Sequence, residues 1–196
     1  MATPTAVSRP AGTAPTAFPT DDPVLARVLK VYKPDCQYLK TATVELTDEG
    51  LVRARCAFAI PAPFYIDDTG HFNAVEFNLC YNQMMYYTVA KTVKEGLLEP
   101  FAHWTMDDYW RRQLPDFLIV DFHSSFAKGM KAHHFHGEIT FRTVRERAGG
   151  RNLRPMVVAD TAVRYWDDDG GHCTGEVRLV IVNPPARETG STDGDH

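Results

Sequence analysis

The chain has 196 residues, and 21 lysines and arginines against 25 aspartates and glutamates give it a formal net charge of −4. This length fits one compact domain of roughly 100–200 residues with tails, and the mild charge excludes the basic surface that binds nucleic acid or an anionic membrane. A hydrophobic fraction of 44% excludes wholesale disorder. Because no stretch reaches the ~18 apolar residues of a membrane span and the start lacks a secretory signal, we expect a cytoplasmic protein.

Both ends of the chain have the composition of disordered segments. Residues 1–22 form an arm rich in Pro, Ala and Thr, and residues 185–196 form a tail rich in Gly, Ser and Asp. A single folded domain is therefore predicted over residues 23–184. The cysteines stand alone, without a CxxC or CxH unit, so we interpret them as small buried side chains rather than zinc ligands or disulfides: Cys36, Cys56, Cys80 and Cys173.

Hydrophobic periodicity predicts a helix, two strands, a long helix and a run of four strands, in that order. A short amphipathic helix begins at Asp22 and is followed by strands over residues 38–46 and 51–60, joined by a turn at residues 47–50. The long helix covers residues 74–94, with Asn73 as its N-cap and Gly96 beyond its end. A helical or irregular piece at 104–113 precedes four strands, at 117–126, 135–147, 154–167 and 172–183.

The long helix carries apolar or aromatic residues on nearly every face, which is typical of a buried helix. Polar side chains are embedded in it at Glu76, Asn78, Asn82 and Gln83. Buried polar groups need partners, so each of these side chains either holds a neighbouring strand or faces a pocket. An antiparallel sheet curled around one central helix is the hot-dog arrangement, and we predict an α+β hot-dog fold.

Several motifs resemble one known family. They are the stretch YIDDTGHFNAVEFNLCYNQ at residues 65–83, WxxDDY at 104–109, and Trp166-Asp167 followed by Gly170-Gly171. The chain resembles the FcoT-like (type III) fatty-acyl-CoA thioesterases. This resemblance implies a hot-dog fold, a homo-oligomer of two or more subunits with pockets between them, and fatty-acyl thioester substrates on coenzyme A or acyl carrier protein.

The resemblance is strongest to a branch with a different reaction, the (2E)-enoyl-acyl carrier protein glycyltransferases of isonitrile lipopeptide biosynthesis. Its members add glycine to the β-carbon of the enoyl thioester, giving a 3-(carboxymethylamino)acyl thioester without a cofactor. Thioester hydrolysis remains the alternative because the shared motifs do not separate the two reactions. A dehydratase or hydratase and a non-catalytic acyl-binding module are further alternatives.

Both leading reactions require stabilisation of negative charge on the thioester carbonyl oxygen. The N-terminus of the central helix suits this role through its backbone N–H groups and dipole, and Gly70 would let the thioester approach the backbone. The resemblance implies four site residues: Tyr32, Tyr65, Asn73 and Asn82.

For glycine addition, His71 is the predicted acceptor of the amine proton, because imidazole is partly neutral at physiological pH. Tyr65 is predicted to protonate the α-carbon, and Glu76 is held as a further substrate-binding or basic group. Glycine's carboxylate requires a cation, for which the candidates are Arg53, Arg55 and Lys91.

Each candidate also has a structural interpretation. Asn73 and Glu76 can form a capping box, Asn82 can be a buried amide that holds a strand, and His71 can be a loop histidine. Tyr32 and Tyr65 can be core residues, and Lys128 and Lys131 can be solvated rather than phosphate-binding. The tract His133–His136 lacks carboxylate or Cys partners at ligand spacing, so no metal site is predicted, and residues 167–171 are interpreted as a turn.

Overall fold

The structure is a computed structural model that describes residues 16–151 and 153–187. Its helices are α1 (Asp22–Leu29), α2 (Ala74–Glu95) and α3 (Met106–Arg112), with 3-10 turns at Pro34–Cys36 and Glu99–Phe101. Its strands form one antiparallel seven-stranded sheet in the order β1-β2-β3-β5-β6-β7-β4. The strands are β1 (Thr16–Phe18), β2 (Leu39–Leu46), β3 (Val52–Phe58), β4 (Phe117–Lys128), β5 (Phe135–Arg147), β6 (Met156–Trp166) and β7 (His172–Val182).

Helix α2 is the centre of the fold, and the sheet curves around it. Residues Phe77, Tyr81 and Tyr87 on the helix are fully buried, and apolar side chains alternate inward along the strands. The capping box at its start and the left-handed Gly96 (φ 62°) at its end are both present. The predicted α+β hot-dog fold is therefore confirmed, with each predicted element within a few residues of its expected limits.

The buried side chain of Gln83 attaches α2 to the segment that leads into β2. Gln83 Oε1 accepts hydrogen bonds from the backbone N–H groups of Tyr38 and Leu39 at 2.9 and 3.0 Å, and Gln83 Nε2 donates to Cys36 O. This confirms that Gln83 holds a strand. The same expectation was wrong for Asn78, which is exposed, and for Asn82, which is only half-buried.

The predicted limits of the domain were too narrow at both sides. Residues 16–18 were assigned to the arm, yet they form β1, in which Ala17 is the register partner of Glu45 on β2. Residues 185–187 were assigned to the tail, yet Arg187 forms an ion pair with Glu99 at 2.6 Å. The other residues of the predicted arm and tail, 1–15 and 188–196, lie outside the described residues.

The run of aspartates at residues 167–169 forms a turn, as predicted. Asp167 accepts hydrogen bonds from the backbone N–H groups of Lys131, Asp169 and Gly171 at 2.7–3.0 Å, and Gly170 adopts a positive φ of 79°. All four cysteines are buried and free. None of the helices in the described ranges is long and apolar enough to cross a membrane.

Candidate active site

The loop between β3 and α2 and the start of α2 bring together four of the predicted site residues, Tyr65, Gly70, His71 and Asn73. The two ends of this loop are fastened to one segment, because Ile60 N–H donates to Ala132 O at 3.2 Å and Phe72 N–H donates to Met130 O at 2.9 Å. Between these anchors, residues 64–71 are exposed, Phe64 and Ile66 among them. The loop therefore presents an apolar and polar surface beside the start of the central helix.

Asn73 accepts hydrogen bonds from backbone N–H groups at the start of α2 that were expected to contact the substrate. Its Oδ1 accepts the N–H groups of Val75 and Glu76 at 2.9 and 3.3 Å, and Glu76 Oε2 accepts the Asn73 N–H at 3.0 Å. We expected backbone N–H groups of the first turn to face the thioester oxygen. These two N–H groups already have a partner, so side chains are the alternative source of donors for the substrate.

Tyr65 supplies such a donor. Its hydroxyl lies 2.6 Å from Asn73 Nδ2 and 2.8 Å from Asn73 Oδ1, and 3.5 Å from Glu76 Oε1. Burial raises the pKa of Tyr65 while the hydrogen bond with Asn73 lowers it. The Asn73–Tyr65–Glu76 cluster thus links an exposed phenol to a fully buried carboxyl group.

Glu76 is uncommon because its carboxyl group is buried and has no cationic hydrogen-bonding partner among the described residues. Burial raises its pKa, against smaller lowering effects of the Asn73 N–H bond, Tyr65 and His71. A carboxyl group of this kind takes up and returns a proton at a higher pH than an ordinary glutamate does. The structure therefore confirms Glu76 in the capping box, and its carboxyl group lies 3.5 Å from the Tyr65 hydroxyl.

His71 and Gly70 lie on the exposed part of the loop. His71 Nδ1 is 3.0 Å from Thr69 O, and a carbonyl can only accept, so Nδ1 carries the proton and Nε2 is the free acceptor of a neutral ring. Gly70 has a φ of 73°, its N–H donates to Asp68 Oδ1 at 2.8 Å, and open space surrounds the position of a Cβ. The positive φ explains the glycine.

Asn82 lies about two turns further along α2, and Tyr32 lies in the turn that follows α1. Asn82 Nδ2 donates to the carbonyl and side-chain oxygens of Asn78, at 2.9 and 3.0 Å, so its amide does not hold a strand. Tyr32 is half-buried, and burial with the nearby Tyr86 and Cys80 raises its pKa. Within the described residues, no hydrogen bond joins either side chain to the Asn73–Tyr65–Glu76 cluster.

The cations predicted to bind glycine's carboxylate are not brought to this place. Arg55 lies on the outer face of the sheet, because its neighbours Ala54 and Cys56 on β3 point inward. It pairs with Glu138 at 3.0 Å. Arg53 also points outward and pairs with Glu45. Lys91 is buried about 22 Å along the axis of α2 from Glu76 and pairs with Glu95 at 2.7 Å. Strand alternation and helical rise separate these side chains from the loop.

The remaining predicted features have local partners. His133 Nδ1 donates to Ile60 O at 3.1 Å and His136 stacks on Trp166, and the described residues contain no metal-binding group of three or more side chains. Lys128 donates to Asp169 O and Lys131 pairs with the Asp169 carboxylate. A groove of about 450 Å³ on the outer face of the sheet contains none of the predicted site residues, and its arginines are ion-paired.

One residue of the site escaped the sequence interpretation. Tyr38 was placed only at the start of a strand, yet its hydroxyl is buried close to Glu76 and Cys80. Alternation predicts that Tyr38 points inward, but no sequence signal identifies which other element its hydroxyl would meet.

A hot-dog sheet around a polar helix start places the chain in the thioesterase-like class of α+β proteins. The FcoT-like thioesterase domain matches residues 27–181, and the chain belongs to that family. A (2E)-enoyl-[ACP] glycyltransferase of Streptomyces coeruleorubidus is 54% identical over 168 residues, covering 85% of this chain and 99% of the relative. A (2E)-enoyl-[ACP] glycyltransferase of Mycobacterium tuberculosis is 34% identical, covering 92% and 95%, and one of Mycobacterium marinum is 34% identical, covering 83% and 86%.

Proposed function

We propose that this chain is an enzyme that adds glycine to the β-carbon of a (2E)-enoyl thioester carried by an acyl carrier protein. The observation that carries the proposal is the 54% identity to the Streptomyces coeruleorubidus glycyltransferase over nearly the whole of that protein. The product is a 3-(carboxymethylamino)acyl thioester, an intermediate of the type used in isonitrile lipopeptide biosynthesis. The site needs no cofactor for this reaction, since glycine's neutral amine is itself a nucleophile.

In this reaction the amine attacks the β-carbon and the electrons of the double bond move toward the thioester carbonyl, forming an enolate. Asn73 Nδ2 lies 2.6 Å from the Tyr65 hydroxyl, and a hydrogen bond donated to that oxygen makes the phenol a better donor in turn. Tyr65 then stabilises the enolate and delivers its proton to the α-carbon. Glu76 lies 3.5 Å away and returns a proton to the phenol.

His71 takes the proton that the amine loses on forming the new carbon–nitrogen bond. The Thr69 carbonyl fixes the tautomer in which Nε2 is the acceptor. His71 then releases its proton to solvent and Glu76 takes one up from solvent. The net change is addition of N–H across the double bond, while the thioester stays on its carrier. This feature distinguishes the reaction from hydrolysis, in which water attacks the carbonyl carbon and the thiol of the carrier leaves.

A second copy of this chain is the proposed partner of strand β4. This strand is the edge of the sheet, is 12 residues long, and bonds to β7 on one side only. It carries three exposed apolar side chains, Leu118, Val120 and Phe126. A long, exposed apolar edge strand is normally covered, and antiparallel pairing of two β4 strands about a twofold axis covers both copies.

The test of the proposed reaction compares two carrier-bound thioesters, crotonyl and butyryl, which differ only in the double bond. Each is incubated with enzyme and glycine, and the free thiol of the carrier is titrated. We expect glycine to be consumed only with the crotonyl thioester and the thiol to stay acylated in both samples. The FcoT-like description of the domain makes hydrolysis the alternative, and equal thiol release from both thioesters would establish it.

A further inference from the structure

The hydroxyl of Tyr38 is buried, and no described residue forms a well-aligned hydrogen bond with it. Tyr38 is 1% exposed, and its backbone is fixed because Gln83 Oε1 accepts its N–H at 2.9 Å. Among the described residues, none forms a hydrogen bond of normal geometry with the hydroxyl. A buried hydroxyl that folding leaves unsatisfied costs free energy, so its retention requires an explanation.

Other buried tyrosines of the described chain show that the fold normally satisfies this group. Two other buried side-chain atoms of the described residues also lack a partner, His103 Nδ1 and Trp104 Nε1. They lie beyond the C-terminal end of α2, away from the candidate site. Each of the other four fully buried tyrosine hydroxyls has a partner: Tyr81 with Thr161 at 3.2 Å, Tyr87 with Asp21 N at 2.8 Å, Tyr109 with Tyr86 O at 2.8 Å, and Tyr165 with Phe77 O at 3.4 Å.

The surroundings of the Tyr38 hydroxyl place it at the interior side of the candidate site. Burial, with Cys36, Cys80 and Glu76 nearby, raises its pKa to about 12, and the backbone N–H of Phe64 lowers it slightly. Glu76 belongs to the Asn73–Tyr65–Glu76 cluster, and Phe64 belongs to the loop that carries Tyr65. The phenol therefore stays protonated at neutral pH, and its proton has no acceptor among the residues that the structure describes.

We infer that Tyr38 is a further catalytic residue, whose hydroxyl donates a hydrogen bond to the thioester carbonyl oxygen from the interior side of the site. The acceptor is a neutral carbonyl rather than glycine's carboxylate, because burying a charged carboxylate at this depth without a cationic partner costs much more free energy. Tyr65 and Tyr38 would then supply two side-chain donors to one developing enolate, replacing the backbone N–H groups that Asn73 occupies. This inference rests on the proposed function.

The variant Tyr38→Phe tests the inference because it removes only an unpartnered hydroxyl. We expect Tm to be unchanged or raised, while kcat/KM for glycine addition to crotonyl-acyl carrier protein falls at least tenfold. Tyr81→Phe is the matched control, since it breaks the bond to Thr161 outside the site. It should lower Tm and leave kcat/KM per folded molecule within about twofold.

A second readout follows the carbonyl itself. Butyryl-acyl carrier protein with a ¹³C-labelled carbonyl lacks the double bond, and its C=O stretching frequency is measured by infrared difference spectroscopy on binding. We expect the wild type to lower this frequency and Tyr38→Phe to reverse part of the shift. Wild-type kcat/KM and an unchanged frequency in Tyr38→Phe would overturn the inference. Absence of glycine addition by the wild type would overturn the proposed function instead, and the frequency would still test Tyr38.

Discussion

At the scale of single residues, Asn73 combines two roles that one substitution can separate. A serine at this position keeps an N-cap acceptor for the helix but lacks the amide donor that lies 2.6 Å from Tyr65. We expect Asn73→Ser to lower kcat/KM at least tenfold with Tm nearly unchanged, measured by glycine-addition kinetics and thermal unfolding.

Asn73→Ala is the matched control, because alanine removes both the cap and the donor. Its helix cap should lose about 1 kcal/mol of unfolding free energy, with an activity loss similar to that of the serine variant. If Asn73→Ser retained full activity, Asn73 would be a cap alone and the donor chain through Tyr65 would be wrong.

Glu76 makes stability depend on pH in a direction opposite to that of an ordinary carboxylate. Burial raises its pKa above the usual 4.5, so the folded state favours the neutral acid. The corresponding stability is fully present below pH 4.5 and is lost as the pH rises through the raised pKa. Glu76→Gln can keep the capping box and does not ionise. We therefore expect the Tm of this variant to increase relative to the Tm of the wild type as the pH rises.

The measurement is thermal unfolding of both proteins from pH 4 to pH 8. A Tm difference that stays constant across the series would contradict a raised pKa at Glu76. If the Tm of the wild type instead rose relative to that of the variant as the pH rises, the pKa of Glu76 would be lowered. That result is expected of a carboxylate stabilised by ionic partners.

At the scale of elements, Asn82 tests whether the exposed side of α2 takes part in the reaction. Its amide bonds only to Asn78 within the same helix, so loss of the side chain should hardly change Tm. We expect Asn82→Ala to lower turnover at least tenfold, as the resemblance implies. Asn78→Ala is the control, since it removes the partner and leaves Asn82 in place. Full activity of Asn82→Ala would remove Asn82 from the site.

The elements themselves were largely predictable. The capping box at Asn73 and Glu76 and the helix end at Gly96 are local patterns, and local patterns fix the bounds of α2. Strand alternation likewise predicted the run of strands from β4 to β7. Strand β1 was missed because three residues in a Pro-rich arm carry no periodicity, and only pairing with β2 orders them.

The contacts within the site were less predictable than the elements, because the partners of each side chain depend on tertiary packing. The sequence identified Tyr65 and Asn73 through the resemblance, but it did not indicate that Asn73 would occupy the N–H groups of the first turn. Arg55 and Lys91 were reasonable cations by charge alone. Their ion pairs with Glu138 and Glu95 depend on strand register and helix packing. The lack of a hydrogen-bonding partner for the Tyr38 hydroxyl likewise could not be predicted, because it depends on which elements pack around that group.

At the scale of the whole molecule, edge strand β4 predicts how copies associate. A lysine on an exposed edge strand opposes strand pairing, so Val120→Lys should shift the protein toward the monomer in sedimentation velocity. Thr41→Lys is the control, because Thr41 is exposed on β2, which four strands of the sheet separate from β4. A Val120→Lys variant with the wild-type sedimentation coefficient would exclude β4 as the interface.

The central claim is that the thioester survives and its β-carbon gains glycine. The most direct measurement is intact-protein mass spectrometry of crotonyl-acyl carrier protein incubated with enzyme, doubly ¹³C- and ¹⁵N-labelled glycine and H₂¹⁸O. The account predicts a carrier-bound adduct that contains the glycine label, with no release of ¹⁸O-labelled crotonate beyond the enzyme-free control. Free carrier with ¹⁸O-labelled crotonate, formed at the same rate without glycine, would contradict it and make the protein a thioesterase.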